Sequence, residues 1–311
     1  MYYVGIDLGG TVIKIGLVSE GKVLDTARLD ADSGSGLASR LSPMKEAVDT
    51  LLAKHCVTSS SLGGVSLAFP GIVDVADAKA AGTNAKYDDA PELDLRSWVR
   101  ECWNVGFAMD NDARAAAVGE WLYGAGRGCR NMVMMTIGTG IGTGVVLDGH
   151  LLYGHNNCAG SLGGHLIVDY KGRRCTCGNI GCVEAHGSSF FLPEIMKDLS
   201  GVSEQFAEDP SNRNFRTLFE KYRKGDPEAG IVVESCMDVW AYGIVNYVHA
   251  YDPEIVVMGG GVMKSSDIIL PYVREKVASL AWQPGDKVRI VASESGDDAA
   301  LLSADYYFRN V

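Results

Sequence analysis

Residues 2–18 read YYVGIDLGGTVIKIGLV, and residues 132–147 read MVMMTIGTGIGTGVVL. In the first stretch an apolar run from Tyr2 to Ile6 ends at Asp7 and a Gly9-Gly10-Thr11 turn, after which Ile13 to Val18 returns as a second strand. In the second, Met132 to Ile137 runs into GTGIGTG and Gly144 to Leu147 returns, with Asp148-Gly149 as the following turn. Strand, glycine turn and returning strand therefore occur twice. This repetition points to an internal duplication of one half-fold.

Working outward, Gly21-Lys22 signals a hairpin into a third strand, Val23 to Leu29. Val65 to Phe69 is a buried strand closing at Pro70-Gly71, and Val105 to Met109 is another. Helical spacing covers Leu41 to Cys56 and Pro91 to Cys102, and Asp112 to Tyr123 reads as a helix that Asp112 can cap and its alanines favour. Asn111-Asp112 thus falls where the carboxyl end of a strand meets a helix. Farther on, Ser188 to Leu199 is expected to be helical, 201–225 is polar and hard to read, and Asp226-Pro227 starts a long helix to about Tyr251. Ile255 to Met258 is a buried strand breaking into Gly259-Gly260-Gly261, followed by a helix at Ile268 to Leu280, a strand at Val288 to Val291 and a last helix from about Asp297.

The chain has 311 residues, with 39 acidic against 28 basic side chains and a net charge of −11. That balance gives no electrostatic reason to bind nucleic acid or an anionic membrane. No apolar run reaches the ~18 to 20 residues needed to span a bilayer, and MYYVGIDLGG lacks the form of a signal peptide, so a cytoplasmic protein is expected. In a reducing compartment clustered cysteines more often bind metal than pair. Four soft ligands, His165, Cys175, Cys177 and Cys182, lie within eighteen residues. A Cys3His set closes all four positions of tetrahedral zinc, the mark of a structural site. Cys56, Cys102, Cys129, Cys158 and Cys236 are scattered and read as small packing residues.

Three glycine turns carry the remaining chemistry. Asp7-Leu8-Gly9-Gly10-Thr11 gathers backbone N–H groups, a hydroxyl and a carboxylate able to hold Mg2+ directly or through water, although a plain hairpin would read the same way. Gly138-Thr139-Gly140-Ile141-Gly142-Thr143-Gly144 places four glycines in seven residues, yet lacks the GK[ST] ending of a Walker loop and precedes a strand, not a helix. Gly259-Gly260-Gly261 follows a buried strand, a suitable place for an adenine.

Taken together these features resemble the sugar-kinase, hsp70 and actin superfold, and more narrowly the ROK family of repressors, open reading frames and kinases. The likeness covers nearly the whole chain. Its most specific part is GGH at 163–165, nine residues, and then Cys175-x-Cys177-Gly178-Asn179-x-Gly181-Cys182-x-Glu184, similar to the family's zinc and sugar signature. The resemblance implies an α/β, two-domain actin-like ATPase (ribonuclease H-like) fold with duplicated mixed sheets flanked by helices and a cleft. It also implies a small domain of residues 1–112 with 297–311 and a large one of 113–296. Asp7, Gly9, Gly10 and Thr11, with Gly138, Thr139 and Gly140, would hold the phosphates of ATP and its Mg2+; Gly259 and Gly260 would hold the adenosine. Asp112 would be the general base. Asn84, Asn111, His165 and Glu184 would bind the sugar, and His165 would join Cys175, Cys177 and Cys182 on a structural Zn2+. A homodimer acting on a sugar and ATP, with no nucleic-acid or membrane partner, completes the expectation.

The pattern departs from the family at two places. Where a Glu is usual three residues before the zinc His, this chain has Leu162, or Ser161 if one residue is inserted. Arg114 replaces the second Asn of the NDAN run; it reads as a surface helix residue, or as one that lowers activity or alters the substrate. The leading expectation is an ATP-dependent kinase acting on the 6-hydroxyl of glucose or a related hexose. An N-acylhexosamine kinase (N-acetylglucosamine or N-acetylmannosamine) and a non-catalytic sugar-binding regulator are the alternatives. A DNA-binding repressor is disfavoured, because the sequence begins directly at its first strand without a winged helix.

Overall fold

The computed structural model describes residues 1–83 and 85–309. The chain forms two compact units, one of residues 1–128, 151–161 and 294–311, the other of 129–150 and 162–293. The first unit therefore extends past Asp112 through the whole helix that this residue begins.

The first unit is built on five strands, β1 (Tyr2–Leu8), β2 (Val12–Ser19), β3 (Lys22–Asp30), β4 (Leu62–Phe69) and, beyond a small hairpin of β5 (Ile72–Asp74) and β6 (Lys79–Gly82), β7 (Gly106–Asn111). Their order is β3-β2-β1-β4-β7. β1 pairs antiparallel with β2 and parallel with β4, and β4 parallel with β7. β3, at the edge, alternates exposed and partly buried residues, as a strand with one solvated face must. Helix α1 (Leu41–Lys54) packs the core through Met44, Val48, Leu51 and Leu52. Helix α2 (Leu95–Trp103) starts later than the spacing suggests, because the Asp94 carboxylate accepts the Ser97 N–H and fixes the first turn there.

Helix α3 (Asp112–Tyr123) follows β7 directly. Its cap is Asn111, not Asp112: the Asn111 side chain accepts the Arg114 N–H at 3.1 Å, and Asp112 is the first helical residue. The last helix is only Ala299–Leu302, flanked by tight 3-10 turns. It lies so close to α3 that a Cβ on Gly119 would come within 1.9 Å of the Ala299 carbonyl oxygen, which makes glycine obligatory at that crossing.

The second unit repeats the plan. β8 (Met132–Ile137), β9 (Ile141–Leu147), β11 (Ile255–Gly259) and β12 (Arg289–Ala292) stand in the order β9-β8-β11-β12, beyond the two-residue edge strand β10 (His150–Leu151). β8 pairs antiparallel with β9 and parallel with β11, and β11 parallel with β12, the pattern of the first sheet strand for strand. The duplication read from the two hairpins is thus a duplication of whole sheets. Around the second sheet lie α4 (Val183–Gly187), α5 (Leu192–Asp198), α6 (Glu204–Glu208), α7 (Phe215–Arg223), α8 (Pro227–Tyr251) and α9 (Ser266–Leu280). Asp226 caps α8 by accepting the Glu228 and Ala229 N–H groups, and the continuous apolar run of α8 is buried, with Trp240 and Tyr247 fully covered. Of the scattered cysteines Cys129 and Cys236 are buried, whereas Cys56, expected to pack, is exposed. It sits just past α1 with a φ of 53°. Among the described residues no helix is long and apolar enough to cross a membrane.

Candidate active site

In the first unit, β1 and β2 meet at a turn closed by the Gly9 N–H on the Val12 carbonyl at 3.1 Å. Among the described residues the N–H groups of Gly10 and Thr11 find no acceptor, so two donors are left for an anion. Asp7 sits opposite Lys14 in the β1–β2 register, and Lys14 is itself buried and paired with Asp298. Burial, then the charge of Asp112, push the Asp7 carboxyl from 3.8 up to about 7, against the opposing pull of Lys14.

Asp112 stands at the head of α3. Its Oδ1 accepts the Asn111 side-chain amide at 3.0 Å and the Ala113 N–H at 2.8 Å. Burial raises its pKa, while the Ala113 N–H and the charge of Lys86 draw it down. Asn111 donates its second amide hydrogen to the Gly71 carbonyl at 3.1 Å. Both hydrogens are thus committed, and toward a ligand Asn111 can offer only an oxygen lone pair. Asn84 lies outside the described residues.

Arg114, expected on the surface, is fully buried. Its guanidinium pairs with Asp110 at 2.7 Å, donates to the Asn157 carbonyl at 2.7 Å and to the Ser161 hydroxyl at 3.1 Å, and stacks over the Tyr153 ring at 4.7 Å. The other Asp110 oxygen accepts the hydroxyls of Tyr153 at 3.0 Å and Tyr307 at 3.2 Å. The physical reason is local: Asp110, the penultimate residue of β7, is buried in the core, and a buried carboxylate demands a cation and donors. The network binds 157–161 to α3. Hence Ser161 is a ligand of Arg114, and Leu162 is 39% exposed.

In the second unit the turn between β8 and β9 is closed by the Gly138 N–H on the Gly140 carbonyl at 2.9 Å, and among the described residues the N–H groups of Thr139 and Gly140 find no acceptor. Glu184 lies across this turn. Its Oε2 accepts the Ile141 N–H at 2.8 Å, and a Cβ on Gly140 would come within 2.5 Å of that oxygen. The third turn approaches the same strand end: Gly260, with a φ of 91°, would drive a Cβ to 2.2 Å from the Ile137 carbonyl.

The metal-ligating atoms of His165, Cys175, Cys177 and Cys182 all lie within 4.8 Å of one another. His165 Nδ1 is 3.6 Å from Cys175 Sγ, and Cys177 Sγ is 3.8 Å from Cys182 Sγ. Tetrahedral zinc with bonds of about 2.3 Å to sulfur and 2.0 Å to nitrogen requires separations of about 3.8 and 3.5 Å, which these two pairs match closely. Burial, and after it the neighbouring sulfur atoms, raise the Cys182 thiol well above its usual range. Burial likewise raises the Cys175 thiol, so a cation at this cluster would favour the thiolate form of both.

One wall escaped the sequence reading. A cavity of about 290 Å³ is lined by Phe215, Phe219, Arg223, Gly261, Val262 and Lys264, among others. It adjoins the third glycine turn. The signal was present in 201–225, where Phe215, Leu218, Phe219 and Tyr222 follow helical spacing and the first three are buried on α7.

The profile of the ROK family matches residues 3–310. A glucokinase of Halalkalibacterium halodurans is 30% identical over 315 residues, 98% of this chain and 94% of its own. A glucokinase of Thermotoga maritima is 30% identical over 308 residues, 97% of this chain and 95% of its own. Among solved structures, a ROK family glucokinase of Streptomyces griseus, determined with glucose and AMPPNP, superposes with a TM-score of 0.84 at 24% identity, covering 100% of both chains.

Proposed function

From the premise that the chain belongs to the ROK family, we propose the roles its residues take in the reaction. The protein is an ATP-dependent hexose kinase, as the glucokinases among its relatives support. The acceptor proposed is the 6-hydroxyl of glucose or a closely related hexose.

The observation that carries the reading is Asp112. It is a carboxylate at the head of a helix, held in orientation by Asn111 and within electrostatic reach of Asp7, which leads into a turn whose Gly10 and Thr11 N–H groups find no acceptor among the described residues. The sugar hydroxyl attacks the γ-phosphorus of ATP, its proton passes to Asp112, and the bond from that phosphorus to the bridging oxygen of ADP breaks. Gly10 and Thr11 offer N–H donors to phosphate oxygens, and Thr139 and Gly140 offer the same kind of donor at the turn between β8 and β9. The pocket between α7 and Gly261 offers two phenylalanine rings to an adenine, beside the Gly259-Gly260 turn.

Asp7 would hold Mg2+, and the fit is electrostatic: a carboxyl whose charged form is disfavoured by burial and by the nearby charge of Asp112 gains from a divalent cation. Mg2+ bound there supplies neutralisation of phosphate charge. His165, Cys175, Cys177 and Cys182 would hold Zn2+, which supplies a structural staple. With Nδ1 turned to that cluster, His165 keeps Nε2 for a sugar hydroxyl. Glu184 and the Asn111 oxygen complete the proposed sugar contacts, with Asn84. A cytoplasmic homodimer belongs to the same proposal and rests on family membership.

A second reading, an N-acylhexosamine as the acceptor, draws on one observation. No carboxylate stands at Ser161-Leu162, and the Ser161 hydroxyl is tied to Arg114. Coupled detection of ADP with a panel of hexoses and N-acylhexosamines tests both readings; a panel without turnover defeats the kinase itself.

A further inference from the structure

Lys86 is a cation that the reaction described above leaves unused. The chain that follows it is fastened to the first glycine turn. Tyr87 is fully buried and donates its hydroxyl to the Gly9 carbonyl at 2.8 Å, and its N–H goes to the Ser33 carbonyl at 2.9 Å. Ser33 in turn donates its hydroxyl to the Gly10 carbonyl at 3.0 Å. Asp89 accepts the N–H groups of Leu37 and Ala38 at 2.6 and 2.9 Å. Tyr87 and Asp89 are thereby anchored on the shell around the turn, and Lys86 directly precedes them.

The ammonium itself rests on Gly10. A Cβ built there would meet Lys86 Cε at 3.0 Å and Nζ at 3.2 Å, so a side chain at position 10 would displace it. Among the described residues Lys86 forms no ion pair. A half-buried ammonium that lies within electrostatic reach of Asp112 but forms no ion pair among the described residues, set against a turn with two N–H groups that find no acceptor among them, is a ready place for an anion.

We propose that Lys86 is a catalytic residue whose ammonium neutralises the phosphoryl group as it passes from ATP to the sugar hydroxyl. The inference rests on the kinase reading and adds to it the cation that the glycine turn lacks. Lys86 stays protonated throughout. The oxygen–phosphorus bond to the sugar forms, the bond to the ADP oxygen breaks, and the only proton moved goes to Asp112. The interaction is strongest where charge on the transferring oxygens is least shared with ADP, so it acts on kcat more than on sugar affinity.

The test is steady-state kinetics of wild type, Lys86→Met and Lys86→Arg with the best hexose of the panel. Lys86→Met is expected to lower kcat by about 10²-fold with little change in the sugar KM, and Lys86→Arg to recover much of the loss. An unchanged kcat in Lys86→Met, or a loss seen only in the sugar KM, overturns the proposal. The wild-type rate separates this from the kinase reading, since the proposal is judged on the ratio of variant to wild type. If no sugar turns over, calorimetry with ATP decides. A clearly weaker affinity in Lys86→Met then supports the anion site, and equal affinities overturn it.

Discussion

β1 and β2 meet at Asp7 to Thr11, β8 and β9 at Ile137 to Ile141, and each turn is closed by one backbone hydrogen bond and leaves two N–H groups without an acceptor among the described residues. What surrounds them differs. Asp7, Lys14, Asp112 and Lys86 ring the first turn with charge. The second has no ionisable residue of its own, and the carboxylate beside it, Glu184, is occupied by the Ile141 N–H. Backbone donors come from the topology and were duplicated with it; charges come from single side chains and stand in one copy. Substitutions at the first turn should therefore act on the chemical step, and those around the second on binding.

The largest effect is expected at Asp112. Replacement by Asn removes the proton acceptor and keeps the shape, so kcat should fall by about 10²- to 10⁴-fold while sugar affinity, read by calorimetry, stays near wild type. Unchanged turnover would remove Asp112 as the base and, with it, the contrast between the two turns.

Arg114 anchors the far side of the same helix, and its removal should act on stability. Arg114→Met leaves Asp110 buried and unpaired, which costs about 3–5 kcal/mol. Urea unfolding measures it, and adding Asp110→Asn should restore part of the loss. A variant as stable as wild type would show that Tyr153 and Tyr307 alone satisfy Asp110.

These two residues also show how far the sequence could be read. Both hairpins, the long helix after Asp226-Pro227 and the Cys3His spacing are local patterns, in which period, glycine and cap residues lie within a few positions of each other. The cap of α3 moved from Asp112 to Asn111 because either side chain is short enough for the task, and only the backbone decides which one precedes the helix. The burial of Arg114 is illegible in the sequence for another reason. Its network partners are remote in sequence: Ser161 is 47 residues from Arg114, and Tyr153 and Tyr307 are 43 and 197 from Asp110. Lys86 likewise meets Gly10 only through the fold. Nothing in the neighbouring residues signals such contacts.

Around the second turn the effect should be smaller and should fall on binding. Cys177→Ser, or removal of metal with a chelator, is expected to release 165–182, lower the melting temperature and weaken sugar binding by about 10- to 100-fold, with about one zinc per chain in the wild type by metal analysis. Glu184 stands two residues past Cys182, on α4, and holds Ile141, so the second turn should loosen as well. A zinc-free variant of full stability and activity would separate metal from sugar site.

The smallest effect tests the charge of the first turn without any substrate. The Asp7 carboxyl is pushed from 3.8 to about 7 in the folded chain, chiefly by burial and next by Asp112. Between about pH 4 and 7 the folded state therefore keeps a proton that the unfolded state has released, so this group's contribution to stability falls as pH rises through that window and is level above it. A tenfold change in a protonation equilibrium corresponds to about 1.4 kcal/mol; discounted for partial exposure, the difference should amount to about 1–2 kcal/mol. Asp7→Asn lacks the titration. It should match wild type near pH 4 and exceed it by that margin at pH 8, and Mg2+ added at pH 8 should narrow the gap by favouring the ionised carboxylate of the folded wild type. If the gap is the same at both pH values, the charge at Asp7 is not under strain, and the first turn differs from the second only in the residues that reach it from outside.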